Sequence, residues 1–513
     1  MPDNRPNILH FCTDGQRFDT VHATGNPIMR TPSLDRLAHE GVAFTSAYTT
    51  CAWCVPARNS MNYGEYPYRN APDVFMAGED RLSFVGALAN AGYRTHGIGK
   101  CDFYPDTQAL RGFQTREVQE ELLPSPDKDD YLTHLHANGY SAVTDPLGVR
   151  GEMYYIPQLS ALPVEAHPAQ WIGDRARGFI EREGAGHEPW YLYCSWVGPR
   201  PPTSVPSPWH KLYRAPLMPL PNVPPDVESL QLYINHIQNR YKFRDRGIDQ
   251  NLLRTLKAYY YAYASFIDFQ IGRVMESLAK AGQMDNTLVV FGSDHGEYLG
   301  DYNCFGLRTF FDACARIPLI VRWPNGTCAG RICDRPASIV DIAPTMLAAA
   351  GVEPSDMRLD GVDLADLAEG TAERETIYHY YVHDLGGLAA AVRNRVDNPR
   401  ETADPVANAM YAVIGDRYKY AYSAADNKEF LFDRANDPLE TRNLAGSPFS
   451  QDALVAMRRN LISELKSAGR TEGLEGDSWK VFPSLDNTSN PDAGLLIQDY
   501  RWADQHIPGY SDE

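Results

Sequence analysis

Four apolar runs in this 513-residue chain lead directly into a residue that can do chemistry. NILHFCTD stops at Asp14, GYRTHGIGK at Lys100, PWYLYCSWVGP just before Arg200, and NTLVVFGSD at Asp294, with His295 next. Each reads as a buried strand with a functional residue at its carboxyl end, which is where α/β sheets bind their ligands. Cys51 and Cys54 form a lone C-x-x-C, and a zinc ribbon needs a second pair that no suitable spacing supplies. The chain has no G-x-S-x-G elbow, no H-E-x-x-H and no Walker A loop. Gly97-Ile98-Gly99 lacks the third glycine of a dinucleotide fingerprint and reads as a strand-end turn.

The elements that must hold these residues alternate along the chain. TPSLDRLAHEG predicts a helix with Thr31, Pro32 and Ser33 near its start and Gly41 at its end. RLSFVGALANAG is a helix before the Lys100 strand, and WIGDRARGFIEREG one before the strand leading to Arg200. A long helix through LLRTLKAYYYAYASFIDFQIGRVMESLAKAG precedes the Asp294 strand, and RIPLIVRWP and SIVDIAPTMLAAAG add a strand and a helix. Alternation of this kind predicts a sheet covered by helices on both faces. After about residue 375 the texture becomes short, aromatic and hairpin-like, as in TIYHYYVHD and NAMYAVIGDRYKYAYSA. The expected division is therefore a catalytic domain over 1–375 and a C-terminal subdomain over 376–513, with a small antiparallel sheet and a wrapping tail from about Gly473.

The 66 Asp and Glu against 48 Lys and Arg give a formal charge of −18. That acidity argues against nucleic acid and anionic membranes as partners. A small anionic substrate would need a local positive pocket working against the global field. No stretch approaches the ~18 apolar residues of a membrane span, and MPDNRPNILHFCTDGQ shows no leader pattern, so a cytoplasmic location is expected. The nine cysteines, an odd number in a large chain, do not suggest a disulfide framework. The aromatic C-terminal region and tail offer an interface for a homo-oligomer.

The segment CAWCVPARNSMNYGEYP is more specific. Cys54, Pro56 and Arg58 fit C-x-P-x-R, closed by Tyr63-Gly64. The motif resembles that of the type I sulfatases of the alkaline phosphatase superfamily. The surrounding blocks follow in family order: PNILHFCTDGQRFDT, GNPIMRTPSLDRLAHEGVAFTSAYT, GYRTHGIGK, VVFGSDHGEYLGD, RIPLIVRWP, SIVDIAPTML and EFLFDRANDPLETRNL. The resemblance implies an alkaline-phosphatase-like α/β/α sandwich with a large mixed central sheet. It also implies that a maturation enzyme oxidises Cys54 to formylglycine, whose hydrate attacks a small anionic sulfate ester. Asp14, Asp294, His295 and residue 54 become ligands of one divalent cation, calcium by family usage, with manganese the alternative that an imidazole suits. Arg58 would hold the hydrated aldehyde, and Lys100 would bridge it to the ester oxygens.

Several positions depart from the family pattern. Gly15 stands where a further ligand is common, and Gln16 beside it points elsewhere if the segment stays extended. The family's K-x-H has become Lys100-Cys101-Asp102, which leaves Asp102 as the candidate base. Arg200 replaces a histidine in Pro199-Arg200-Pro201-Pro202, and Leu307 a lysine in CFGLRTFFD. Arg200 and Arg308 retain positive charge but are poor proton donors. Tyr302 replaces another histidine and reads as a packing residue, and His379 or His383 is the candidate substitute acid. Beside the sulfatase reading stand two alternatives: a phosphonate monoester or phosphodiester hydrolase, and a degenerate, non-catalytic binding protein, which Gly15, Asp102 and Leu307 motivate.

Overall fold

The computed structural model describes residues 5–70, 81–121, 126–150, 153–183, 186, 188–236, 249–372, 374–382 and 405–483. At its centre is an eight-stranded mixed sheet. Across the sheet the order is Arg331–Cys333, Val42–Phe44, Leu319–Arg322, Thr287–Ser293, Asn7–Asp14, Trp190–Pro199, Arg94–Gly99 and Thr115–Val118. Leu319–Arg322 runs antiparallel to both neighbours, and the other pairs are parallel. Asn7–Asp14 lies in the middle and every residue of it is buried. This explains why ILHFC is continuously apolar except for His10, rather than alternating. His10 Nδ1 lies 3.1 Å from the Tyr191 hydroxyl on the next strand.

Helices cover both faces, as the alternating pattern predicts. Gln250–Lys280 begins where the Asp249 carboxylate accepts from Asn251 N at 2.8 Å. Its inward stripe includes Leu256, Tyr260, Phe266, Ile271 and Val274 in one core cluster with Leu9, Phe11 and Leu192. Pro32–Glu40 starts on Pro32, but its Thr31 makes no side-chain cap. Asp268, on the long helix, takes that place by accepting from Ser33 N at 3.2 Å and Leu34 N at 2.8 Å. On the opposite face Ile342–Ala350 and Phe84–Asn90 pack against Ile8, Val42 and Leu288.

Thr376–Tyr381, Met410–Gly415, Tyr418–Ser423 and Lys428–Asp433 form a separate four-stranded antiparallel sheet, backed by the helix Gln451–Ser467. It is locked to the larger unit by buried polar contacts. Lys419 Nζ donates to Asp312 Oδ1 at 2.7 Å and to the Phe310 carbonyl at 2.8 Å, and Tyr380 N donates to the Thr50 carbonyl at 2.7 Å. The described part of the segment after Gly473 is short. It forms the short pair Leu474–Glu475 and Ser478–Trp479, and the Trp479 ring stacks 4.3 Å from that of Tyr422. Its remainder, from residue 484, lies outside the described residues. Among the described residues no helix is long and apolar enough to cross a membrane, and all nine cysteines are free thiols.

Candidate active site

The strand ends singled out by sequence converge on one edge of the sheet. Asp294 N donates to the Thr13 carbonyl and Arg200 N to the Asp14 carbonyl, both at 3.1 Å. The three strand ends are thus tied side by side around Asp14. The chain leaves Asp14 through Gly15 at φ 63°, and a Cβ there would sit 3.2 Å from Arg200 Cβ. The left-handed turn and the close approach both favour glycine here. Gly15 contributes through its backbone instead, donating N–H to Asp294 Oδ1 at 3.1 Å. Gln16 points elsewhere, donating to Thr20 Oγ1 at 3.1 Å.

Cys54 is the first residue of the helix Cys54–Tyr63, entered from an extended Trp53. A group at this position feels the positive end of the helix dipole. Its Sγ lies 3.2 Å from His295 Nε2 and 3.8 Å from both Asp14 carboxylate oxygens. His295 Nε2 lies 3.3 Å from Asp14 Oδ1 and 3.6 Å from Asp294 Oδ1. One ligand atom from each of these four buried residues falls within 4.8 Å of the others. Two buried carboxylates, an imidazole nitrogen turned toward them and a fourth side chain form a donor set that fits a small divalent cation.

Arg58, one helical turn after Cys54, shares its face. Its Nε donates to Asp294 Oδ2 at 2.8 Å. Its Nη1 donates to the Lys100 carbonyl, Tyr193 Oη and Ser195 Oγ at 2.7–3.0 Å. Its Nη2 is buried with no partner among the described residues, so its N–H groups remain for a group on residue 54. Lys100 Nζ, completely buried, contacts Asp14 Oδ2, with Asp102 Oδ2 and Glu121 Oε2 each at 3.0 Å. Asp102 adopts φ 54° and also lies 3.8 Å from Arg58 Nε. Arg200 Nη1 contacts Glu121 Oε2 and lies 3.6 Å from Asp14 Oδ2.

These neighbours reset the acidities. Burial alone would raise the Asp14 carboxyl, but Lys100 and Arg200 outweigh it and hold the group well below the usual range. Burial disfavours a charged Lys100, yet Asp102 and Asp14 keep its ammonium well above the ordinary lysine value. Burial likewise disfavours imidazolium at His295, and Asp294 and Cys54 outweigh it, so that positive charge is favoured beside these acids.

Glu121 and Arg150 belong to this cluster although the sequence reading passed over them. Glu121 lies just beyond the Thr115–Val118 strand and receives Lys100 and Arg200 on Oε2 and Arg150 Nη2 on Oε1, the last at 2.8 Å. Arg150 comes from a loop and lies over the Tyr154 ring at 4.9 Å. The strand-end rule that marked Asp14 and Lys100 also applies to Glu120-Glu121. Glu120 has a structural task there, its Oε1 accepting from Cys101 N at 3.0 Å.

Leu307 is buried in the apolar cluster beneath Cys54. Arg308 lies over the Trp53 ring at 4.8 Å and donates its backbone N–H to the Ala52 carbonyl. Tyr302 packs against Phe311 at 4.7 Å between ring centroids and donates its hydroxyl to the Leu439 carbonyl at 2.8 Å, in keeping with the packing role expected of it. His379 is buried against the Thr49 carbonyl at 3.1 Å, and burial depresses it to about 4. His383 lies outside the described residues. Cys51 is buried with no contact to the acidic pair, and burial pushes its thiol up.

Comparison with known proteins adds an independent finding. The family signature described as Sulfatase matches residues 6–352. The chain is 26% identical to an arylsulfatase of Clostridium perfringens, over 91% of this chain and 96% of that one. It is 29% identical to the multifunctional alkaline phosphatase superfamily protein PehA of Trinickia caryophylli, over the same shares. Among solved structures it resembles the phosphonate monoester hydrolase of Agrobacterium radiobacter, with TM-score 0.76 and 25% identity over 90% of this chain and 96% of that one.

Proposed function

The chain belongs to the sulfatase family, and we propose that it hydrolyses small anionic sulfate esters with residue 54 as nucleophile. The observation that carries this reading is the meeting of Cys54 with Asp14, Asp294 and His295 at one buried point, with Arg58 and Lys100 behind it. Such a meeting supports a catalytic rather than a merely binding role. Asp14, Asp294, His295 and residue 54 would hold one divalent ion, calcium first and manganese second. The ion would polarise the nucleophile and neutralise ester oxygens. As formylglycine, made by a separate maturation enzyme, residue 54 would supply a hydroxyl nucleophile.

The chain's own residues do the rest. Arg58 orients residue 54 with its spare Nη2 and pins Asp294 with Nε. Lys100 and Arg200 bind the ester oxygens as fixed cations. Asp102, hydrogen-bonded to Lys100, is the base nearest the site. Arg200 stabilises charge without giving up a proton. The catalytic machinery falls within 1–375, and 376–513 forms the attached subdomain and offers the surface for a homo-oligomer. Nine free thiols suit a reducing, cytoplasmic setting.

A second reading, phosphonate monoester or phosphodiester hydrolysis, is supported by the likeness to the Agrobacterium enzyme and to PehA. Both readings use the same nucleophile. Peptide mass spectrometry after co-expression with a maturation enzyme should show the thiol-to-aldehyde mass change at Cys54 and not at Cys51. An unmodified Cys54 in fully active protein would exclude both. Turnover of matched sulfate and phosphonate monoesters then separates them.

A further inference from the structure

A second cavity, about 470 Å³ in volume, opens at the same carboxyl edge of the sheet. None of its lining residues belongs to the Asp14, Cys54, Asp294 and His295 cluster, nor to Lys100, Asp102 or Arg200. It lies where the parallel order is broken by the antiparallel strand Leu319–Arg322. Its walls come from the turn after Asp14, from the end of Val42–Phe44 and from the start of Leu319–Arg322, closed by the long helix Gln250–Lys280. That is the kind of crevice in which α/β sheets hold ligands, and its volume suits a small organic molecule.

The polar groups on its wall are not equivalent. Arg17 is fully engaged. It holds Asp19 through two bonds of 2.8 Å and Asp301 at 2.9 Å, and donates to the carbonyls of Glu297 and Tyr298. The two acids on the wall thus share one guanidinium. Lys257 differs. It is 7% exposed, lines the cavity, and has no hydrogen bond or ion pair with any described residue. Burial lowers its pKa, and Asp301 and Asp19, too far for contact, do not restore it. Its ammonium faces the cavity with three donors that no described residue takes up. One turn on, on the same helix face, Tyr261 also lines the cavity. Its hydroxyl accepts from Asn26 Nδ2 at 3.2 Å and donates to no described residue. The wall also offers apolar surface from Phe18, Phe44, Ile317 and Leu319, with Arg316 lying over the Phe18 ring at 4.3 Å.

We propose that this cavity binds a small organic monocarboxylate, its two oxygens held by Lys257 Nζ and Tyr261 Oη and its apolar body lying among Phe18, Phe44, Ile317 and Leu319. A carboxylate offers two oxygens to two donors, whereas a bare sulfate or phosphate would leave most of its acceptors facing hydrocarbon. A cation is disfavoured because Arg17, Lys257 and Arg316 on the wall outnumber Asp19 and Asp301. The inference does not depend on the sulfatase reading, since no residue of that site takes part.

The test uses the full-length protein with benzoate as probe and isothermal titration calorimetry as readout. Benzoate should bind both the unaltered protein and the Cys54→Ala variant. Benzamide, the same shape without charge, should bind roughly tenfold or more weakly, as expected for losing a charge-assisted bond. Lys257→Met should cost a similar factor, Lys257→Arg should restore part of it, and Tyr261→Phe should cost less. If Lys257→Met does not fold, the benzoate-to-benzamide ratio in the unaltered and Tyr261→Phe proteins carries the decision. Absence of benzoate binding, equal binding of benzamide, or indifference to Lys257→Met would overturn the proposal. So would a crystal structure showing a second copy or residues 484–513 filling the cavity.

Discussion

Glu121 decides how much negative charge the candidate active site can accept. Its Oε2 touches both Lys100 and Arg200, the two cations proposed to bind ester oxygens, and Arg150 holds its other oxygen. An incoming ester must displace Oε2, after which Glu121 stays nearby on Arg150. A sulfate monoester brings one negative charge and a phosphate monoester brings two. At an effective dielectric constant of about 20, unit charges roughly 5 Å apart repel by about 3 kcal/mol. If pairing with Arg150 halves this, the second charge still costs about 1.5 kcal/mol, or roughly tenfold in selectivity. Glu121→Gln keeps the shape and removes the charge. The assay compares kcat/KM for 4-nitrophenyl sulfate and 4-nitrophenyl phosphate, which share a leaving group, at a pH where the phosphate is a dianion. The phosphate-to-sulfate ratio should rise about tenfold, and the rise should shrink with added salt much less than a surface effect would, because the pair is buried. An unchanged ratio, with the variant folded and metal-loaded, would refute the charge argument. A uniform loss on both substrates would mean that Glu121 only positions Lys100.

Asp294→Ala should lose the divalent ion and activity together, since Asp294 also anchors Arg58 and the turn at Gly15; metal analysis showing stoichiometric content would refute its place among the ligands. With Arg200 and Leu307 where proton donors are usual, rates should depend steeply on leaving-group pKa, because general acid help is worth roughly 10²–10⁴-fold for poor leaving groups. A flat profile across phenyl sulfates of graded acidity would contradict this. The buried His379 held on the Thr49 carbonyl is no evident replacement. Away from the site, His167 lies 3.1 Å from the Ser204 carbonyl through Nε2 and accepts from Ala169 N on Nδ1 at 3.2 Å, so it is held neutral, its pKa lowered to about 4 mainly by burial. Its native pKa lies below the unfolded value, so the unfolded chain takes up the proton first. Stability is therefore lost as pH falls from about 6.5 towards 4, by roughly 2 kcal/mol at pH 5. Chemical denaturation at pH 7.5 and 5 should show that loss, and His167→Gln should abolish its share.

Sequence made the strand-end groups legible because their position follows from local pattern. An apolar run that ends on Asp14 or Asp294 needs no knowledge of the fold to look purposeful. Arg58 was legible only through the C-x-P-x-R motif that it shares with Cys54 and Pro56. What could not be read is whatever depends on neighbours distant in the chain. That a side chain at position 15 would come within 3.2 Å of Arg200 Cβ could not be read from the sequence. Glu121 and Arg150 lie 29 residues apart and meet only because a short strand and a loop are brought to the same edge. TREV gives a weak strand signal, with exposed and half-buried residues, so the rule that found Asp14 had little to act on. Asp268 was hidden in the same way, since it caps a helix that begins more than 200 residues earlier.

The charge arithmetic of the site bears on how an acidic chain holds an anion. Arg58, Lys100, Arg200 and Arg150 face Asp14, Asp294, Asp102 and Glu121, cation for carboxylate, through the contacts described above. These eight groups are balanced, so they do not by themselves overcome the −18 of the whole chain. A divalent ion on the four-residue cluster would tip the balance positive. On that account the ion does more than activate a nucleophile. It also supplies the excess charge that draws the ester in, so ion affinity and ester affinity should be linked, each strengthening the other by the same factor. The fixed cations, each already matched by a carboxylate, would then select geometry more than they supply attraction. This gives a physical reason for four cations to remain in a site whose carboxylates already balance them.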